Sequence, residues 1–122
     1  MKKHDEVGRY GEQLAVNFLI DKGFIILERN WRFSRAEIDI IAKEGSVLVF
    51  VEVKTRSGTH YGMPEDFVDP KKELFVSDAA AAYMRHINYE WEFRFDIIGI
   101  VLSKFHNEVK INHTKDAFFP GI

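Results

Sequence analysis

EIDIIAKEGSVLVFVEVKTR, residues 37–56, is the stretch on which the fold turns. Its halves, AEIDIIA (36–42) and VLVFVEVKT (47–55), read as two strands, and Glu44-Gly45-Ser46 between them has the chemistry of a hairpin turn. The anomaly is charge: Glu37, Asp39, Glu52 and Lys54 stand where a buried sheet would carry valine or isoleucine. Residues two apart on a strand share a face, roughly 7 Å from each other. Glu37 therefore goes with Asp39 and Glu52 with Lys54, while Val49, Val51 and Val53 take the opposite, core-facing side. A two-residue turn at Glu44-Gly45 would set Glu37 opposite Glu52. A turn at Gly45-Ser46 would instead set Asp39 opposite Glu52 and Glu37 opposite Lys54. Either register gathers four charged groups on one face and opposes like charges, which destabilises a ladder.

Working outward, Val7, Tyr10, Gly11, Leu14, Ala15 and Phe18 recur at the spacing of one helix face, and Gly23 is a natural stop. Gly8 and Gly11 lie inside that pattern, where each costs about 1 kcal/mol relative to alanine, so they point to close packing against a neighbour. Glu12 stands one turn beyond Gly8 at the edge of the stripe. FIILERNW (24–31) reads as a strand and RSGTHYGMP (56–64) as a turn-rich loop. Asp69-Pro70 starts a second helix, Asp as the capping residue and Pro at the first helical position, running to about Ile87. FRFDIIGIVL (93–102) is a strand, EVKIN (108–112) a short edge strand, and the tail from His113 is expected to pack its two phenylalanines on the body. The order predicts an α/β fold, a mixed central sheet flanked by helices, in one domain spanning residues 1–122.

Composition sets limits on function. The 46% hydrophobic and 14% aromatic content suits a packed globular chain. With no cysteine, disulfides and thiolate metal sites are excluded. Clustered carboxylates without an organised histidine set favour Mg²⁺ or Mn²⁺ over zinc, and such a cluster holds its charge at neutral pH more easily around a cation. A net charge of −2 and a pI near 6.2 give no overall basic field, so a nucleic-acid role has to rest on a local patch. No apolar run approaches the ~18 residues that span a bilayer, and Lys2-Lys3-His4-Asp5-Glu6 does not begin a signal peptide. The expectation is a cytoplasmic protein with no membrane partner. The competing reading of the charged strands is a solvated face with an ordinary ion pair, of the kind that contributes below about 1 kcal/mol.

Asp39, twelve intervening residues, then Glu52-Val53-Lys54 resembles the D…(D/E)-x-K motif of the PD-(D/E)XK nuclease superfamily. The element order resembles that superfamily's restriction-endonuclease-like core: helix, three-stranded meander, helix, one or two further strands. GRYGEQLAVNFLIDKGF (8–24), RNWRFSRAEIDII (29–41), VFVEVKTR (49–56), YGMPEDFVDPKK (61–72) and RFDIIGI (94–100) are together similar to the YraN family of small bacterial proteins. That family is similar in turn to the archaeal Holliday-junction resolvases, which are dimeric, metal-dependent DNA endonucleases.

The resemblance implies roles residue by residue. Asp39 and Glu52 would be the principal ligands of Mg²⁺ or Mn²⁺, and Glu12 would complete the metal shell. Lys54 would orient or activate the attacking water and stabilise charge developing on phosphorus. Glu37 would sit at the rim, beside a ligand or in a structural pair. Arg32, Arg35, Arg56, Lys71 and Lys72 are candidates for phosphate contacts. Ala36 departs from the family's usual glycine, and Ile38 from the proline of the motif's name. The implied function is phosphodiester hydrolysis on structured or branched DNA, with DNA ahead of RNA, in a homodimer. Two rivals are a nucleic-acid-binding module that keeps the metal site without turnover, and a protein-interaction domain.

Among the remaining residues, Arg94 and Asp96 share a strand face and are expected to form a structural ion pair under the site. The loop from Ser57 to Met63 is either a closing flap or a plain connection. His60 and His113 are assigned no catalytic role, and Tyr61, Trp31 and Trp91 are expected in core or rim packing.

Overall fold

The computed structural model describes residues 6–57, 70–105 and 107–117. Residues 58–69, which include the expected Asp69 cap, His60 and Tyr61, and the two phenylalanines near the C-terminus lie outside the described residues. Five strands form one mixed sheet in the order β1-β2-β3-β4-β5. They are β1 (Ile25–Phe33), β2 (Ala36–Glu44), β3 (Val47–Ser57), β4 (Phe93–Leu102) and β5 (Val109–Thr114), with helix α1 (Glu6–Asp21) before β1 and α2 (Pro70–His86) between β3 and β4. Neighbours pair antiparallel except β3 and β4, which run parallel, as a crossover through a helix allows.

The helices take opposite faces. Ala15, Val16 and Leu19 of α1 pack on Ile40, Ala42, Val49, Val51, Val53, Ile98 and Ile100. Val76, Ala79, Ala80 and Tyr83 of α2 pack on Ile38, Ile41, Leu48, Phe50, Phe95 and Ile97. The valines of β3 thus point to a core, as expected, but the other face is a core as well. Along β3 the row Leu48, Phe50, Glu52, Lys54 begins under α2, and its charged end is reached by the first turn of that helix.

Gly23, at φ 91°, ends α1: its N–H bonds to the Ile20 carbonyl and the Phe24 N–H to that of Leu19. Gly11 does a different job. A Cβ there would lie 1.9 Å from Thr55 Oγ1 and 2.8 Å from Thr55 Cβ, so α1 rests directly on β3 one residue past Lys54. Alanine would gain about 1 kcal/mol of helix propensity, but an overlap with a stiff β-branched neighbour costs more, toward the upper part of the roughly 1–3 kcal/mol range for overpacking. Gly11→Ala is expected to lower the urea midpoint, with partial recovery when Thr55→Ala is added. An unchanged midpoint would mean that α1 and β3 are not in this contact.

At the free edge of the sheet, pairing of β1 with β2 slips between Ile26 and Glu28, leaving Leu27 as an extra residue in a bulge.

Candidate metal and phosphate site

The β2–β3 hairpin settles the register. Glu44 pairs with Val47, so Gly45-Ser46 is the two-residue turn, with Gly45 at φ 61° in the first central position as a type II′ turn requires. Continued, this register would place Asp39 across from Glu52, but the paired ladder ends one step earlier, at Ile40–Val51. There the Asp39 carboxylate accepts the Val53 N–H at 2.7 Å, a side chain standing in for the missing backbone partner. Strand alternation breaks at the same place: Ile40 belongs to the α1 core and Ile38 to the α2 core.

The other side of β2 is distorted too. Asp39 lies between the Ile38–Trp31 and Ile40–Arg29 pairs, which puts it opposite Asn30. Asn30 has φ 52°, a left-handed conformation that asparagine tolerates better than most residues, and its Nδ2 donates to Glu12 Oε1 at 2.9 Å. Sequence reasoning missed Asn30. A polar residue inside an apolar strand, close to the charged pair in sheet register, was the available signal.

Glu37, Asp39 and Glu52 line one crevice with Ile38, Phe50, Val51 and Val76. Its volume is about 10 Å³, space for a single water or small ion. Arg32 Nε pairs with Glu37 Oε2 at 3.0 Å, and the Lys72 ammonium pairs with Glu52 Oε1. Glu12 is buried on α1, whose core contacts are with the opposite face of the sheet, and it accepts from Asn30, the residue across from Asp39. Among the described residues no three acidic or histidine side chains converge closely enough to cage a metal ion, so the expected Glu12–Asp39–Glu52 set is not brought together as one shell.

Lys54 follows Glu52 on the same side of β3. Burial lowers its pKa, and the charges of Lys72 and Arg56 add to that, against the raising influence of Glu52 and Glu73.

The crevice adjoins a larger cleft of about 740 Å³, with which it shares Glu37 and Val76. Among the described residues Arg32, Arg35, Lys71 and Lys72 line this cleft, with Glu37 as the acid beside them. Two local features bring them together. Ser34-Arg35 is a tight turn between the paired Phe33 and Ala36, Ser34 having φ 56°, and Pro70 starts α2 immediately before the two lysines. Arg56, the fifth expected contact, does not line the cleft; it donates to the Thr55 carbonyl at 3.0 Å at the exposed end of β3.

The Arg94–Asp96 pair is present and is part of something larger. Asp96, fully buried, is held two-pronged by Arg94 at 2.9 and 3.1 Å, by His113 Nε2 at 2.7 Å and by the Asp116 N–H at 3.0 Å. Arg94 continues to Glu44, which also binds Lys115. Burial works to raise the Asp96 pKa, but the hydrogen bonds from His113, Arg94 and Asp116 overcome it and hold the carboxyl below its ordinary value. This network shares the α1 side with Ile98 and Ile100, beneath the face that carries Glu52. Trp31 packs edge-on against Tyr83 at 5.2 Å, whereas Trp91 is 68% exposed and meets only the rim residue Tyr89 among the described ring contacts.

Residues 11–100 match the model of the family described as Uncharacterised protein family UPF0102. The chain belongs to that family. A UPF0102 protein of Flavobacterium psychrophilum is 47% identical over 119 residues, covering 98% of both chains. One from Bacteroides thetaiotaomicron is 42% identical over 122 residues, covering 100% of this chain and 99% of its own. One from Caldicellulosiruptor bescii is 45% identical over 115 residues, covering 93% and 97%. The UPF0102 match thus takes in Asp39, Glu52, Lys54 and the four cleft cations. Among the described residues of this UPF0102 protein no helix is long and apolar enough to cross a membrane.

Proposed function

We propose that this UPF0102 protein is a metal-dependent endonuclease of restriction-endonuclease-like architecture that hydrolyses phosphodiesters in structured or branched DNA. One observation carries the reading: a crevice lined by Glu37, Asp39 and Glu52 opens beside a cleft lined, among the described residues, by Arg32, Arg35, Lys71 and Lys72, in a chain of net charge −2. The basic residues are concentrated where a phosphate backbone would lie, and the acids where a cation would.

The donor set fits Mg²⁺ or Mn²⁺. All candidate ligands are carboxylate oxygens, and magnesium typically takes one or two carboxylates and completes its shell with waters and substrate phosphate. Asp39 and Glu52 would hold the ion, with Glu37 beside them and Glu12 steadying Asn30 behind β2. A divalent ion there supplies charge neutralisation at the phosphate and a water made nucleophilic. Lys54 would orient the attacking water and donate toward a phosphate oxygen. Arg32, Arg35 and Lys71 position the strand through its phosphates, while bases contribute no sequence information at these contacts. A homodimer, offering two such sites to the arms of a branched substrate, and a cytoplasmic location belong to the same proposal.

The test is cleavage of labelled branched, duplex and single-stranded DNA, and RNA, with Mn²⁺, Mg²⁺ or EDTA. Metal-dependent cutting strongest on branched DNA is expected. Lys54→Ala should keep Mn²⁺ binding and lose cutting by about 10²-fold or more, the scale of one positioned acid–base group. A fully active Lys54→Ala protein would remove that role. Metal-dependent binding without cutting in the parent protein would make it a nucleic-acid-binding module instead.

A further inference from the structure

We infer that Lys72 is a built-in counter-ion that occupies the carboxylate crevice until a divalent cation displaces it, and that it then turns to the substrate backbone. The inference rests on the proposed metal site and adds a control element to it. Lys72 lies in the first turn of α2, where a positive charge is unfavourable to the helix, so helix stability does not account for it there. Its ammonium instead pairs with Glu52 Oε1, from a side chain 44% exposed against 12% for Glu52. The carboxylate is thus shielded largely from the solvent side by a group that can withdraw into water at little cost.

The same side chain lines the basic cleft with Arg32, Arg35 and Lys71. Two positions are therefore open to one flexible four-carbon stem: on Glu52, or on a phosphate in the cleft. A metal ion and an ammonium cannot both sit on Glu52 without like-charge repulsion, so metal entry frees Lys72 at the point where a phosphate would arrive. Arg32 stands in the parallel relation to Glu37, but as its direct cross-strand partner on β1. Lys72, carried on a different layer from its partner, is the movable one. Cation and polyanion binding are thereby coupled: each favours the arrangement in which Lys72 has left Glu52.

The experiment is Mn²⁺ titration by calorimetry, without nucleic acid, on the parent protein and the Lys72→Met, Lys110→Met and Glu52→Ala variants, each with a thermal melt; Lys110 is exposed on β5. Lys72→Met is expected to bind Mn²⁺ about fivefold more tightly, the scale of one nearby charge at a partly screened site. Lys110→Met should match the parent and Glu52→Ala should not bind. Mn²⁺ binding by Lys72→Met alone would support the inference most strongly. Unchanged or weaker affinity in Lys72→Met, with Glu52→Ala still abolishing binding, would overturn the role of Lys72 and leave the metal site standing. No binding by any of the four proteins would overturn both. A second readout separates a counter-ion from a merely structural contact. With Mn²⁺ present, affinity of the parent for a non-cleavable DNA duplex should exceed that of Lys72→Met.

Discussion

Glu52→Ala is expected to abolish Mn²⁺ binding and to reduce cleavage by at least about 10²–10³-fold, the loss typical of removing one preorganised charge-stabilising group. The fold should survive, because Glu52 sits at the mouth of the crevice and its partner Lys72 is 44% exposed, free to turn to water. Asp39 is a harder case. Its carboxylate accepts the Val53 N–H where the β2–β3 ladder has ended, so Asp39→Ala also leaves a buried donor without its partner, at a cost of about 1–3 kcal/mol. Asp39→Asn keeps an oxygen for that bond while removing the charge, and is the better variant for separating stability from metal binding. Calorimetric titration, cleavage and thermal melting on Glu52→Ala and Asp39→Asn would settle the assignment. Mn²⁺ affinity retained in both would remove these residues as ligands.

The largest stability effect is expected away from the crevice. Asp96→Ala takes the anion from a group of cations and donors packed around it, leaving Arg94 and His113 beneath the sheet with their shared partner gone. Removing one member of such a buried pair costs about 3–5 kcal/mol, a large fraction of the stability of a domain this size. The pH dependence has a definite sign. The folded-state pKa of Asp96 lies below its unfolded value, so its contribution is fully present above the ordinary aspartate range near 4. It is lost as pH falls through the folded value, where the carboxyl takes a proton and its ties to Arg94 and His113 weaken. Urea midpoints measured from pH 7 down to about pH 2 should fall less steeply in Asp96→Asn than in the parent. Parallel curves would show that the network is not what acid disrupts.

The contrast between these two places explains what the sequence disclosed. Residues 37–56 carry strand period, turn chemistry and misplaced charge within one hairpin, and local information of that kind is enough to fix the elements and to narrow the register to two, between which the structure decides. The Gly45-Ser46 turn, the α1 stop at Gly23 and the start of α2 at Pro70 are all visible as residue types. The meeting of Lys72 with Glu52 depends on where a helix docks across the sheet, and no spacing in the sequence encodes that. The same holds for the separation of Glu12 from the crevice, because the face α1 would cover cannot be read from its own stripe. His113 looked isolated for a similar reason: its partner Asp96 is on another strand, brought beside it only when β5 pairs with β4. The termination of the ladder at Ile40–Val51 was half legible. Opposed carboxylates announced a conflict, but the answer, a side chain capping the Val53 amide, appears only in three dimensions.

The bulge at Leu27 bears on how the molecule behaves in company. β1 is an outermost strand with Ile25 63% exposed and Leu27 37% exposed, an apolar border of the sort that recruits a foreign strand and seeds aggregation. The extra residue throws the strand's outer N–H and C=O groups out of even spacing and sharpens its twist. A second chain laid along it would find no continuous row to bond. The irregularity thus works against edge-to-edge association at a cost confined to one residue.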